Sequence, residues 1–238
     1  PSTEFAWIGE MNVEGLYDDG NVQRPSVLPS IREWKGNDGT LAFSGNIVVK
    51  DEAYLEAAQI SASYIKGMTG IEVNVTSNDA SAGDIVFVKD ETLSVGDEGY
   101  TMEIGDYAIV KADTHVGFVY AGATLTQMLM SGANTLPKGF MRDYPQYEVR
   151  STMIDLGRFY IPLDYVEEIV MYAAFFKMNE FHAHINDDGG EQNNAFRVES
   201  KLYPEINAGV LPGELYSQED YKAFQKHVSK YGMDIVTE

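Results

Sequence analysis

The sequence has no cysteine, few basic residues and no long apolar run. The first absence removes disulfides, thiol catalysis and thiolate metal sites together. It leaves the compartment open, because a bacterial extracellular enzyme and a cytosolic protein both tolerate it. Lys and Arg number 17 against 37 Asp and Glu, a formal charge of −20. That balance argues against a nucleic-acid partner, whose phosphates need basic neighbours, and against docking on an anionic membrane surface. A neutral ligand such as a sugar stays compatible. No stretch approaches the roughly 18 apolar residues that span a bilayer. No signal peptide is visible, and the opening at Pro1 without a Met reads as trimming or processing.

What is present is an ordinary globular composition, 44% hydrophobic over 238 residues, with room for one large domain or two smaller ones. Residues 1–24 are irregular and read as an arm or linker, with turn signals at Asp18-Asp19-Gly20-Asn21. From 25 to 147 the pattern is mixed. Short strands are expected around Leu41, Phe43, Ile47 and Val49, broken by Gly39 and Gly45, then at 71–75, 85–88, 100–104 and 107–110. Helices are expected over 52–66, ending at Gly67 and Gly70, and over 119–130, ending at Gly132. Strands with occasional helices predict an α+β domain.

The rhythm changes at 148–238. An apolar strand (150–156) leads to a helix opened by Pro162 and Asp164, with Asp164 and Glu167 spaced as a capping box and Val166, Ile169, Val170, Ala173 and Phe176 on one face. A strand (179–186), an irregular stretch (187–213), a helix capped by Ser217 and a strand (233–237) follow. Such β–α–β–α–β alternation predicts parallel strands whose carboxyl ends share one rim. Three strands do not close a barrel, so an incomplete barrel is expected.

That rim collects Arg158, His184 and Asp187-Asp188. Neighbouring parallel strands lie about 5 Å apart, so Arg158 and Asp187 can face one cavity. A guanidinium fork suits vicinal sugar hydroxyls and a carboxylate suits an amide N–H, but the same two residues also make a structural ion pair. His182 and His184 point to one side of their strand and, with Asp187, could ligate a metal, but with no other ligand cluster on the visible strands they read as hydrogen-bonded barrel histidines. His115 and His227 lack sequence partners and read as surface residues. Tyr160, Phe159 and Tyr203 lie near the rim, whereas Tyr172 and Phe175-Phe176 read as core. Gly189-Gly190 reads as a turn, and Glu167, Glu168, Glu219 and Asp220 as a solvated face.

Taken in order, these segments resemble glycoside hydrolase family 20, the β-N-acetylhexosaminidases and lacto-N-biosidases. Val149-Arg150-Ser-Thr-Met-Ile-Asp155-Leu-Gly-Arg158-Phe-Tyr-Ile-Pro162 is similar to the family's first barrel strand. Lys177-Met-Asn179-Glu-Phe-His182-Ala-His184-Ile-Asn-Asp187-Asp188 is similar to its second. Phe196-Arg197-Val-Glu199, Tyr203-Pro204-Glu205 and Tyr231-Gly232 through Glu238 continue the match. Leu28-Pro29, Gly83-Asp84, Gly96-Asp97-Glu98-Gly99-Tyr100 and Gly122 through Gln127 resemble the family's α+β domain before the barrel.

The resemblance implies a secreted or cell-surface bacterial glycosidase with no cofactor and no metal. Its partners would be N-acetylhexosamine-containing glycans, not nucleic acid or membrane. It implies that Arg158 holds the hydroxyls of the terminal sugar, that Asp187 belongs to the polar network of the catalytic acid, and that His184 lies beside it. Catalysis would be substrate-assisted and retaining. The 2-acetamido oxygen attacks the anomeric carbon, an Asp orients the acetamido N–H, and a Glu protonates the leaving oxygen. The catalytic Asp–Glu pair is expected after a fourth strand, beyond Glu238, so no catalytic residue is assigned among these 238 residues and the chain alone is expected to be inactive. Phe159 replaces the family's usual His, Ala183 its Trp, and Gly189–Asn194 its aromatic turn, all close to the sugar pocket.

Overall fold

A computed structural model describes residues 23–188 and 194–238. Most of the arm expected over 1–24 and the Gly189-Gly190 turn lie outside the described residues. The chain forms two compact units, the first ending at Gln146 and the second spanning Tyr147–Glu238.

In the first unit, seven strands make one mixed sheet: β1 (Glu33–Ala42), β2 (Asn46–Val49), β3 (Asn74–Thr76), β4 (Ile85–Lys89), β5 (Tyr100–Ile104), β6 (Ala108–Ala112) and β7 (Thr135–Asp143). Their order is β1-β7-β5-β6-β4-β2-β3, antiparallel from β1 to β6 and parallel from β6 to β3. Helices α1 (Leu55–Thr69) and α2 (His115–Ser131) pack on one another and on the sheet. Their approach is tight: a Cβ on Gly122 of α2 would stand 2.0 Å from the Ser61 hydroxyl of α1. Because α2 is covered by α1 and the sheet, its residues from Gly117 to Thr126 are all buried, and it is apolar nearly all round.

The sequence expectation located α1 and the strands β4 to β6 but missed β7. Pro137, Lys138, Gly139 and Arg142 interrupt its apolar pattern, yet β7 runs between β1 and β5, where ladder partners on both sides supply what the pattern lacks. Strand β1 likewise continues through Gly39 by a register shift instead of ending there. Helix α2 starts four residues earlier than its apolar run, because Thr114 caps it by accepting the Gly117 N–H at 3.1 Å.

The second unit holds β8 (Ser151–Asp155), α3 (Leu163–Phe175), β9 (Glu180–His184), the antiparallel pair β10 (Asn186–Asp188) and β11 (Asn194–Phe196), α4 (Gln218–Ser229) and β12 (Asp234–Thr237). The three longer strands are parallel in the order β12-β9-β8. On one side, Phe181 and Ala183 of β9 pack with Val166, Val170 and Ala174 of α3 and Tyr221, Phe224 and Val228 of α4. Helix α4 begins as expected, Ser217 accepting the Asp220 N–H at 3.0 Å.

Helix α3 departs from its expectation. Its N-cap is Pro162, whose ring has no hydrogen-bond acceptor, and Asp164 already lies in the first turn, where its carboxylate meets the Tyr165 N–H at 2.9 Å. Its buried face ends in Ala174 and Phe175, with Ala173 half-buried and Phe176 exposed, because Phe176 is the C-cap and leaves the helix. Tyr172 is also exposed. The irregular stretch after β9 contains the β10–β11 pair, which no apolar alternation marks. His227 is not a lone surface residue; it meets Glu167 of α3 at 3.5 Å.

Candidate functional site

The parallel register decides which side chains meet. Asp155 is paired with His184, and Thr237 with Ala183, so Glu238 follows beside His184. Residues in register share a face. Asp155, His184 and Glu238 therefore form the last rung of three strands, on the side away from α3 and α4. Two residues on, the chain leaves β8 in a turn that is stitched to β9: the Leu156 and Gly157 N–H groups both donate to the His184 carbonyl at 2.8 Å. Gly157 makes a close approach there, since its Cβ would stand 3.0 Å from the Asp187 nitrogen.

This turn delivers Arg158 to the rung. Asp155 Oδ1 accepts the Arg158 main-chain N–H at 2.9 Å, and Oδ2 accepts from the guanidinium at 2.7 Å. The other guanidinium nitrogen reaches Asp187 Oδ2 at 2.8 Å. The same Asp187 oxygen meets His184 Nε2 at 2.7 Å, while His184 Nδ1 meets Glu238 Oε2 at 2.5 Å. His182 Nε2 reaches that Glu238 oxygen at 3.0 Å. One continuous polar chain thus runs Asp155–Arg158–Asp187–His184–Glu238–His182. The sequence-identified residues Arg158, Asp187 and His184 are brought together; Asp155 and Glu238 complete the set. An Asp three residues before an Arg at a strand end was the signal for Asp155, because that spacing closes a turn.

The electrostatics follow from the contacts. Both His184 ring nitrogens face carboxylate oxygens, an arrangement that favours the doubly protonated imidazolium. Its hydrogen bonds to Asp187 and then Glu238 hold its pKa above the ordinary value against partial burial. For Asp155, burial would raise the pKa, but hydrogen bonds from the Arg158 N–H and guanidinium, with the Arg158 charge, outweigh it and lower it. His184, then His182, lower that of Glu238. Arg158 remains 51% exposed, so its outer donors are open to solvent while two carboxylates fix its plane.

Asp155, His184 and Asp187 each offer a ligand atom within 4.8 Å of the others, the geometry of a cation site. The two carboxylates already hold the Arg158 guanidinium, and both His184 ring nitrogens are engaged by carboxylate oxygens. His182 turns to Glu238, not to Asp187, so the His182–His184–Asp187 ligand set is not assembled. Tyr160 is not a free aromatic at the rim; it packs on Tyr216 with ring centres 5.4 Å apart. Phe159 and Tyr203 are exposed.

Arg197, named in the sequence only as part of a segment that resembles the family, was given no role there. It is buried beneath the rim and donates to the carbonyls of Leu156 and Gly157 and to Glu214.

Comparison with known proteins agrees with the ordered motifs. Residues 24–144 match the model of glycosyl hydrolase family 20, domain 2, and residues 147–238 match that of the family 20 catalytic domain. The chain is 27% identical to a lacto-N-biosidase of Bifidobacterium bifidum, over 92% of this chain and 19% of that protein. It is 26% identical to a beta-hexosaminidase of Vibrio furnissii, over 90% of this chain and 37% of that one. A solved beta-N-acetylhexosaminidase of Bacteroides fragilis superposes with a TM-score of 0.72 at 26% identity, covering 89% of this chain and 44% of the other. A Streptomyces plicatus beta-hexosaminidase, at 23% identity, shares the fold with a TM-score of 0.75 over 91% and 46% of the two chains. The chain spans less than half the length of each of these proteins. With both of its units matched, the chain belongs to glycosyl hydrolase family 20.

Proposed function

We propose that this chain supplies part of the sugar pocket of a β-N-acetylhexosaminidase, with Arg158 donating hydrogen bonds to the hydroxyls of a terminal N-acetylhexosamine. The observation that carries the reading is the Arg158 guanidinium, held in plane by Asp155 and Asp187 at the carboxyl rim of three parallel strands and open on its outer side. In this reading β8, β9 and β12 are the first strands of a (β/α)8 barrel. Asp187 and His184 belong to the network around the catalytic acid, and the Asp–Glu pair of substrate-assisted retaining catalysis follows on a fourth strand. Members of the family are hexosaminidases and, in the Bifidobacterium relative, a lacto-N-biosidase. The unit released is therefore an N-acetylhexosamine or a disaccharide containing one. A secreted or cell-surface bacterial setting is part of the same proposal.

Titration of the 238-residue chain with N-acetylglucosamine tests it. Binding is expected, and Arg158→Ala should weaken it at least about tenfold, the worth of a charge-assisted hydrogen bond. An Arg158→Ala chain that is folded and binds as tightly as the parent removes Arg158 from the pocket.

A further inference from the structure

We propose that Arg197 is a positioning residue for this rim, joining the ends of β8 and β9 so that Arg158 and Asp187 meet. The proposal rests on the reading of Arg158 as the sugar's hydroxyl donor. Arg197 is 1% exposed. Its Nε donates to the carbonyls of Leu156 at 3.1 Å and Gly157 at 3.2 Å, the two residues immediately before Arg158. A terminal nitrogen donates to Glu214 at 2.8 Å. Its own N–H donates to the Ile185 carbonyl at 3.0 Å, one residue past β9 and two before Asp187. Its carbonyl accepts the Tyr216 N–H at 2.8 Å, which ties the segment from below.

One residue is thus bonded through its side chain to the end of β8 and through its main chain to the end of β9. The two ends have no slack between them, because Gly157 already lies against the Asn186-Asp187 backbone. A buried charge is an expensive way to fill space, which an apolar side chain of similar volume would do at no electrostatic cost. Its use here answers a geometric need. The planar fork serves two carbonyls and a carboxylate at fixed angles, which the single ammonium of a lysine cannot do.

The test is Arg197→Lys in the 238-residue chain, which keeps the charge and loses the fork. Three quantities are read: the unfolding temperature, the His184 ring titration by NMR, and N-acetylglucosamine affinity. A role confined to stability lowers the first and leaves the other two alone. Positioning moves the His184 midpoint down toward that of a free imidazole, well below the melting range, and weakens sugar binding by about tenfold to a hundredfold. A folded variant with the parent's midpoint and affinity overturns the proposal. If Arg197→Lys does not fold, Glu214→Ala releases the far end of the guanidinium and is read the same way, with a smaller shift expected and unchanged readings again fatal. If the parent chain binds no N-acetylglucosamine, the sugar reading falls by itself, and the His184 midpoint in the variants still decides the positioning role.

Discussion

His184 stands between Asp187 and Glu238, with a carboxylate on each ring nitrogen, and this makes the rim sensitive to pH in both directions. Its folded pKa is raised, so its contribution to stability is complete below the ordinary imidazole value of about 6.5 and is lost as pH rises through the folded value. Asp155 and Glu238 have lowered values. Their contributions are complete above the ordinary carboxylate range of about 4 and are lost as pH falls through the folded values. Melting temperature against pH should therefore be highest between these limits. His184→Gln should flatten the alkaline limb and leave the acid limb largely in place; an unchanged alkaline limb would show that the imidazolium contributes nothing. NMR titration of the parent should put the His184 midpoint above the ordinary imidazole value of about 6.5, and Asp187→Asn should lower it. At this scale the site was half legible. Arg158, His184 and Asp187 stand out as polar residues at strand ends, whereas Asp155 and Glu238 become partners only through strand register. Arg197 enters the sequence reading only as part of a segment that resembles the family, and only its burial shows that it has a structural task.

The elements most legible in the sequence are those stabilised by local chemistry. Ser217 caps α4 by its own hydroxyl, and removing it should cost about 1 kcal/mol by urea denaturation of Ser217→Ala. Phe181 is fully buried between β9 and the two helices, so Phe181→Ala should cost about 3–5 kcal/mol, and a loss under about 1 kcal/mol would contradict the packing described. Gly122 tells the opposite story. Alanine is the better helix former, yet Gly122→Ala should destabilise by about 1–3 kcal/mol, because the added methyl meets Ser61 of α1. The elements that escaped sequence reasoning share a cause. Strand β7 carries Pro137, Lys138 and Gly139, and β10 and β11 are three residues each; all are strands because a neighbouring strand pairs with them. Cross-strand pairing is not written in local periodicity. The Asp164–Glu167 spacing misled for a related reason: it fits a cap, but the N-cap is Pro162, two residues earlier.

For the molecule as a whole, the family reading makes a plain kinetic prediction. The 238-residue chain should not hydrolyse an aryl N-acetyl-β-glucosaminide at a rate above the uncatalysed background, since the proposed reading assigns acid catalysis and acetamido orientation to none of its residues. Turnover by the purified chain at a rate typical of an enzyme would sink that reading, and with it the assignment of the rim to binding alone. Composition and the order of motifs were enough to determine the charge class, the absence of thiol chemistry, the β–α alternation of the second unit and the family, because these depend on residue identity and short-range spacing. Only the tertiary structure decided which polar groups touch. Parallel register put Asp155, His184 and Glu238 on one rung, the close approach at Gly157 brought Arg158 to Asp187, and a guanidinium buried beneath them tied the two strand ends together. The physical reason is that such contacts join residues up to 56 positions apart in sequence, His182 to Glu238, and are set by hydrogen-bonded pairing and packing that no local pattern encodes.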